Sequence, residues 1–337
     1  MNVLKTIFLF IFVFQVNAQK SDFSTINFEK ADKIALEYKN ETLTNLPELA
    51  HKLTSELPTD AERFRAIFKW VCGNIANDYG MFARNMRKRQ RYKNDSVKLN
   101  EWNTKFKKIV FRKLLRDNRT ICTGYAYLIK ELANLANIDC EIVHGFARTS
   151  TIDIETLDSP NHSWNVVKLD GKWYLCDPTW ASGVPNPASA QFEFQFNEGF
   201  FLADPNIFAI NHYPVDEVWS LLADKTPSFK TFLESPIIYN EAYTYFSNHN
   251  APKKLYTEIK KNEHIIFKYE LLKPVQKEDI YFKMNTSFSS NKIHPESISI
   301  ENQSVTIDYA FETTGFYDVH LYIKDDLVST YTVEVRK

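Results

Sequence analysis

The chain has 337 residues, of which 44% are hydrophobic and 25% charged, with a formal net charge of −1. That length holds two domains at roughly 150 residues each, and the near-zero charge gives no global attraction to nucleic acid or to an acidic membrane surface. The four cysteines, Cys72, Cys122, Cys140 and Cys176, are too few and too scattered for a disulfide-built fold, and none forms the CxxC pair of a thiolate zinc site.

The opening MNVLKTIFLFIFVFQVNA carries Lys5, an apolar run from Ile7 to Phe14 and the small-residue site Val16-Asn17-Ala18. This is the layout of a secretory signal peptide, residues 1–18. The mature chain is expected to begin near Gln19, secreted or periplasmic, with no transmembrane segment, since no later apolar run is long enough to span a bilayer.

Residues 23–57 read as short helices ending at Leu57-Pro58. In TDAERFRAIFKWVCGNIAND, Thr59 and Glu62 predict a capping box. Phe64, Ile67, Phe68, Val71, Cys72 and Ile75 follow at helical spacing, which makes Cys72 a packing residue. From Met81 to Arg119 the composition shifts to fourteen Lys and Arg against Asp95, Glu101 and Asp117. KFKKIVFRKLLRDN reads there as a basic amphipathic helix with Phe106, Ile109, Val110 and Leu114 on one face. A solvated face explains such a run; so does a docking surface for an anionic partner, with residues 81–119 as an insert.

RTICTGYAYLIKELANLANIDC places Cys122 ahead of a helical stripe of Leu128, Ile129, Leu132, Leu135 and Ala136. A thiol becomes a nucleophile where a helix N-terminus and a nearby imidazolium favour the thiolate. A buried small residue is the simpler reading of an isolated Cys. CEIVHGFAR then alternates as a strand, and NHSWNVVKLDGKWYLCDPTW reads as a hairpin around Asp170-Gly171. In that register Leu169 faces Lys172, His162 faces Thr179 and Trp164 faces Asp177, so that His162 and Asp177 share a face within hydrogen-bond reach. Cys122, His162 and Asp177 would then serve as nucleophile, general acid/base and orienting carboxylate. Cys140 and Cys176 fall on strands of one domain, where an oxidising compartment would allow them to pair. A metal site from Cys122, His162 and Asp177 is disfavoured by its mixed hard and soft ligands without a fourth, and no cofactor is expected.

Residues 181–239 are rich in Pro and aromatics, with short helical pieces in WSLLADKTPSFKTFL. NHNAPKK, residues 248–254, reads as a linker. Beyond it HIIFKYELL, DIYFKM, SISI, VTIDYAF, YDVHLYI and STYTVEV are short alternating runs that predict a β-sandwich over 255–337. Six glycosylation sequons occur, among them Asn161-His-Ser, where a glycan would obstruct His162.

ICTGYAYLIKELANLANIDC, HGFAR and NHSWNVVKLDGKWYLCDPTW together resemble the core of the transglutaminase-like superfamily, closest to its kyphoscoliosis-peptidase type. AERFRAIFKWVCGNIANDYG resembles the helix before its nucleophile, and FFLADPNIFAINHYPVDEVWSLL the tail after its core, so that the likeness runs over about residues 60–235. It implies an α+β, papain-like fold in residues 19–247, with N-terminal helices packed on an antiparallel sheet, ahead of an immunoglobulin-like sandwich. It also implies that Cys122, His162 and Asp177 carry the catalytic roles, acting on a protein or peptide amide through a thioester. Hydrolysis is preferred to transfer onto an amine, because outside the cell water outnumbers any amine; a non-catalytic scaffold is the contrasting reading. The insert between Tyr79 and Cys122 departs from the family pattern. The backbone N–H of Cys122 supplies one oxyanion donor, and Trp70, Asn74, Tyr79 and Trp102 stand as alternatives for the second.

Overall fold

The computed structural model describes residues 20–152, 154–186, 188–189, 191–222, 225–286 and 289–337. The expected signal peptide lies outside the described residues.

Three helices open the chain: α1 (Glu29–Glu37), α2 (Leu46–Thr54) and α3 (Asp60–Asn74). The Thr59–Glu62 capping box is formed in both directions, and it starts α3 so that Phe64, Ile67, Phe68, Val71 and Cys72 all face the core. Short strand β1 (Ala76–Asn77) then pairs in parallel with β2 (Arg119–Thr120). Everything between them is the basic insert, folded as a hairpin of α4 (Tyr79–Tyr92) and α5 (Ser96–Asp117). The β1–β2 pair holds the neck of this hairpin. Met81, Trp102, Phe106, Val110 and Ile121 give it a small core of its own, while its Lys and Arg residues mostly point outward.

Helix α6 (Cys122–Leu135) follows, and its apolar stripe packs on a four-stranded antiparallel sheet. The sheet is built from β3 (Cys140–Ala147), β4 (His162–Leu169), β5 (Lys172–Cys176) and, later, β8, in the order β5-β4-β3-β8. Asp170 and Gly171 both take positive φ, 49° and 81°, as a two-residue hairpin turn requires. The expected register holds from Leu169–Lys172 to Asn165–Cys176. It then stops, because Asp177 leaves the strand to cap α7 (Pro178–Ser182), so neither His162–Thr179 nor Trp164–Asp177 is a strand pair. Cys140 and Cys176 are free thiols on the two strands flanking β4, with Asn165 of β4 contacting both, so the pairing an oxidising compartment would allow is not made.

A small hairpin of β6 (Gly183–Pro185) and β7 (Phe192–Phe194) leads to α8 (Pro205–Asn211) and to β8 (His212–Pro214), which returns to the sheet edge beside β3. Then come α9 (Phe229–Glu234), β9 (Ile237–Ile238) and α10 (Ala242–Tyr245).

The C-terminal strands are β10 (Phe246–Ala251), β11 (Tyr256–Lys260), β12 (His264–Leu271), β13 (Ile280–Asn285), β14 (Ser290–Ile293), β15 (Ser297–Glu301), β16 (Ser304–Ala310), β17 (Gly315–Ile323) and β18 (Asp326–Arg336). They form two sheets, β10-β12-β16-β15 and β11-β18-β17-β13-β14, antiparallel except for the β11–β18 pair. Phe267 of one sheet meets Phe282 and Tyr331 of the other at ring separations of 4.9 and 5.0 Å, which makes a packed sandwich. The stretch 248–254 is not the free connection its polar composition suggests, since Asn248–Ala251 pairs with β12. Strand β9 adds to the edge of β18, and Tyr245 bonds Asp326 at 2.7 Å, so the two regions share one continuous core. Among the described residues no helix is long and apolar enough to cross a membrane.

Candidate functional site

Cys122 is the first residue of α6. Ile121 at the N-cap offers no side-chain acceptor, so the helix starts with first-turn amides uncapped by a side chain. Gly124 lets this start form: a Cβ there would come within 1.9 Å of the Thr120 hydroxyl.

His162 begins β4, and its Nε2 lies 2.7 Å from Asp177 Oδ2. The diagonal contact expected from the hairpin is therefore present, but Asp177 reaches it from the cap of α7 rather than from the strand. Asp177 Oδ1 accepts the backbone amides of Thr179 and Trp180 at 2.9 and 3.1 Å. Since Asp177 occupies Nε2, Nδ1 is the nitrogen left to exchange a proton, and Cys122 lines the same cavity as this ring. All three side chains are buried, Asp177 completely. Burial opposes a charge on His162, but the Asp177 carboxylate and the thiol outweigh it and push the imidazole up to about 10. The same imidazolium, with the bonds Asp177 accepts, overcomes burial and holds the carboxyl well below the usual range.

His212 was not singled out by the sequence. Its Nε2 lies 3.1 Å from the same Oδ2 of Asp177, and its ring stacks on Phe208 with centroids 3.8 Å apart. Burial is the largest influence on it and, with the repulsion of His162, pulls it down to about 4 despite Asp177. Trp164 and Trp180 stand beside both rings and wall Asp177 off from solvent. The oxygen and nitrogens of His162, Asp177 and His212 lie within 4.8 Å of one another. Hydrogen bonds at 2.7 and 3.1 Å account for that cluster without an ion.

Cys122 and His162 open into a cavity of about 340 Å³, roofed by Phe82, Asn85, Met86 and Arg89 of α4. The basic insert is thus part of the site. Of the expected second oxyanion donors, Trp70 gives its Nε1–H to the Tyr38 carbonyl and Asn74 its amide to the Trp70 carbonyl. Tyr79 lies against Phe192. Trp102 donates to Asn85 Oδ1 at 3.0 Å. An indole N–H can only donate, so Asn85 accepts through its oxygen and its NH₂ is left for the cavity. Nothing in the sequence marked Asn85, because the pairing joins two helices seventeen residues apart. Asn161 spends its side chain on both backbone groups of Ala147, at 2.7 and 2.9 Å, and is buried, so that sequon is not a surface acceptor. His144 lines the same cavity, and its Nδ1 lies 2.9 Å from the Ser163 hydroxyl.

Residues 47–178 match the family model described as Transglutaminase-like superfamily. Over 197 residues the chain is 33% identical to a protein named Kyphoscoliosis peptidase from Homo sapiens, a match that covers 58% of this chain and 27% of that one. It is 24% identical over 210 residues to Hillarin of Drosophila melanogaster, with 58% and 23% covered. With the Lim and transglutaminase domain protein ltd-1 of Caenorhabditis elegans it shares 22% identity over 250 residues, with 70% and 32% covered. The matches thus span about a quarter to a third of the length of these relatives.

Proposed function

We propose that this chain, which carries a transglutaminase-like domain, is a cysteine enzyme that attacks amide carbonyls through Cys122. One observation carries the reading: Cys122 heads a helix at the wall of a cavity it shares with an imidazole whose Nε2 is held by the buried Asp177. The Cys122 sulfur adds to the carbonyl while His162 Nδ1 carries the thiol proton. The amide nitrogen then leaves with that proton, giving a thioester. The backbone N–H of Cys122 and the Asn85 NH₂ are the donors assigned to the oxyanion. Water as acceptor completes a peptidase or amidase cycle, and the name of the human relative favours it; an amine acceptor would complete a cross-link.

The test is peptide mass spectrometry of iodoacetamide-treated protein, with His162→Ala beside the wild type. Rapid alkylation of Cys122 alone, slowed at least tenfold in the variant, is the expected result. An inert Cys122, or one indifferent to His162, leaves a non-catalytic binding module instead. Ammonia release from a Gln peptide together with amine incorporation would assign transfer rather than hydrolysis.

Residues 1–18 support export from the cytoplasm, with cleavage before Gln19; an intact N-terminus on the protein isolated from its native host would refute that. The outward charge of 81–119 supports an anionic surface partner, to be tested by salt-dependent retention on heparin.

A further inference from the structure

Phe82, Met86 and Arg89 are spaced at i, i+4 and i+7, so they share one side of α4, and that side roofs the cavity of Cys122 and His162. Arg89 is half-buried there. Its Nη1 donates to the Pro160 carbonyl at 3.1 Å, which fixes the guanidinium beside the segment leading to His162. That bond uses one of five N–H donors. The acidic residue nearest in this segment, Asp158, is taken by Lys93 at 3.5 Å. Among the described residues no Asp or Glu lines the cavity, and His144, which does, has its pKa lowered by burial. A guanidinium anchored in a half-buried wall, with no carboxylate facing it among the described residues, is matched by a carboxylate from outside, which it can hold through two parallel bonds.

We propose that Arg89 recognises an acidic side chain of the substrate, seated next to the amide that Cys122 attacks. The substrate class is thus an acidic peptide, and the inference rests on the catalytic reading of Cys122. A tether role for Arg89 alone, pinning the loop through Pro160, is the competing account.

The experiment compares iodoacetate with iodoacetamide as alkylators of Cys122 in the full chain. In both reactions the sulfur–carbon bond forms and iodide leaves; the reagents differ only in bearing a carboxylate or a neutral amide. His162 favours the anionic reagent in every sample, so the reading is the change in rate ratio on substitution. In Arg89→Gln the iodoacetate-to-iodoacetamide ratio should fall about tenfold, equivalent to about 1.4 kcal/mol, and Arg89→Lys should retain it within about threefold. An unchanged ratio in Arg89→Gln, with Cys122 still reactive, overturns the proposal and leaves the tether. Should Arg89→Gln fail to fold, the wild type decides: glutarate should protect Cys122 from iodoacetamide and glutaramide should not, and equal protection overturns the proposal. If Cys122 of the wild type reacts with neither reagent, the catalytic reading falls, and this inference with it.

Discussion

His162 and His212 both direct Nε2 at one oxygen, Asp177 Oδ2, from 2.7 and 3.1 Å. One buried carboxylate cannot keep two imidazolium ions in a site closed by tryptophans, because each charge loses its hydration and repels the other. The two rings therefore divide the roles. His162, with the shorter bond, keeps the proton; His212, stacked on Phe208 with its Nδ1 3.3 Å from the Phe208 carbonyl, stays neutral and has one N–H for its two acceptors. With Oδ1 capping α7, every side of Asp177 is engaged.

Asp177→Asn keeps the shape and removes the charge both rings depend on. Breaking a buried ion pair from one side costs about 3–5 kcal/mol, so the urea midpoint should drop clearly. The loss of imidazole orientation should slow acylation of Cys122 by a nitrophenyl ester about 10²–10⁴-fold. A variant as stable and as quickly acylated as the wild type would remove Asp177 from the scheme.

Stability should vary with pH in two opposite limbs. For His212 the folded pKa of about 4 lies below the ordinary 6.5. Between those values the unfolded chain binds a proton that the folded chain refuses, so stability falls as pH drops from 6.5 toward 4. For His162 the folded value is about 10. Its contribution is complete below 6.5 and is lost as pH rises through 10. Denaturation midpoints from pH 4 to 10 should peak near neutrality. His212→Phe, which suits the aromatic surroundings, should make the acid limb shallower, leaving the part owed to buried His249, whose value of about 3 also lies below 6.5, and should keep the alkaline one; an acid limb as steep as that of the wild type would contradict the assignment.

In the proposed mechanism the Asn85 amide donates only where a carbonyl becomes an oxyanion. Asn85→Ala should slow ester acylation of Cys122 about 10²–10³-fold, far more than it slows iodoacetamide, whose displacement forms no oxyanion. Trp102→Phe releases the amide and should give a smaller loss of the same kind. Equal effects on both reagents would count against an oxyanion role.

Gly124→Ala drives a Cβ into the side chain of Thr120, to 1.9 Å from its Oγ1 and 2.8 Å from its Cβ. We expect a loss of about 1–3 kcal/mol from overpacking. Thr120→Ala in the same protein should restore part of it, since the hydroxyl goes but the Cβ stays. Strict additivity of the two changes in a double-mutant cycle would mean that the residues do not press on each other.

Much of the fold was legible locally. The Thr59–Glu62 box, the stripe of α3, the Asp170-Gly171 turn and the alternation of β12, β13 and β15 to β18 are patterns within a few residues, set by backbone capping and by which face must leave water. The polar strand β10 was not, because Asn248–Ala251 is held by pairing with β12 and carries little apolar signal of its own.

The sequence by itself singled out three residues, Cys122 ahead of a helical stripe and His162 and Asp177 on either side of the Asp170-Gly171 turn, although Asp177 meets His162 from the cap of α7 and not from the strand register. Tertiary structure decided what surrounds them. His212 comes back thirty-five residues after Asp177, Asn85 is oriented by a tryptophan on another helix, and Arg89 reaches the cavity because the β1–β2 neck folds the basic insert over it. Periodicity and turn chemistry are properties of neighbouring residues, whereas a shared carboxylate oxygen or a roof over a thiol exists only after distant segments have packed.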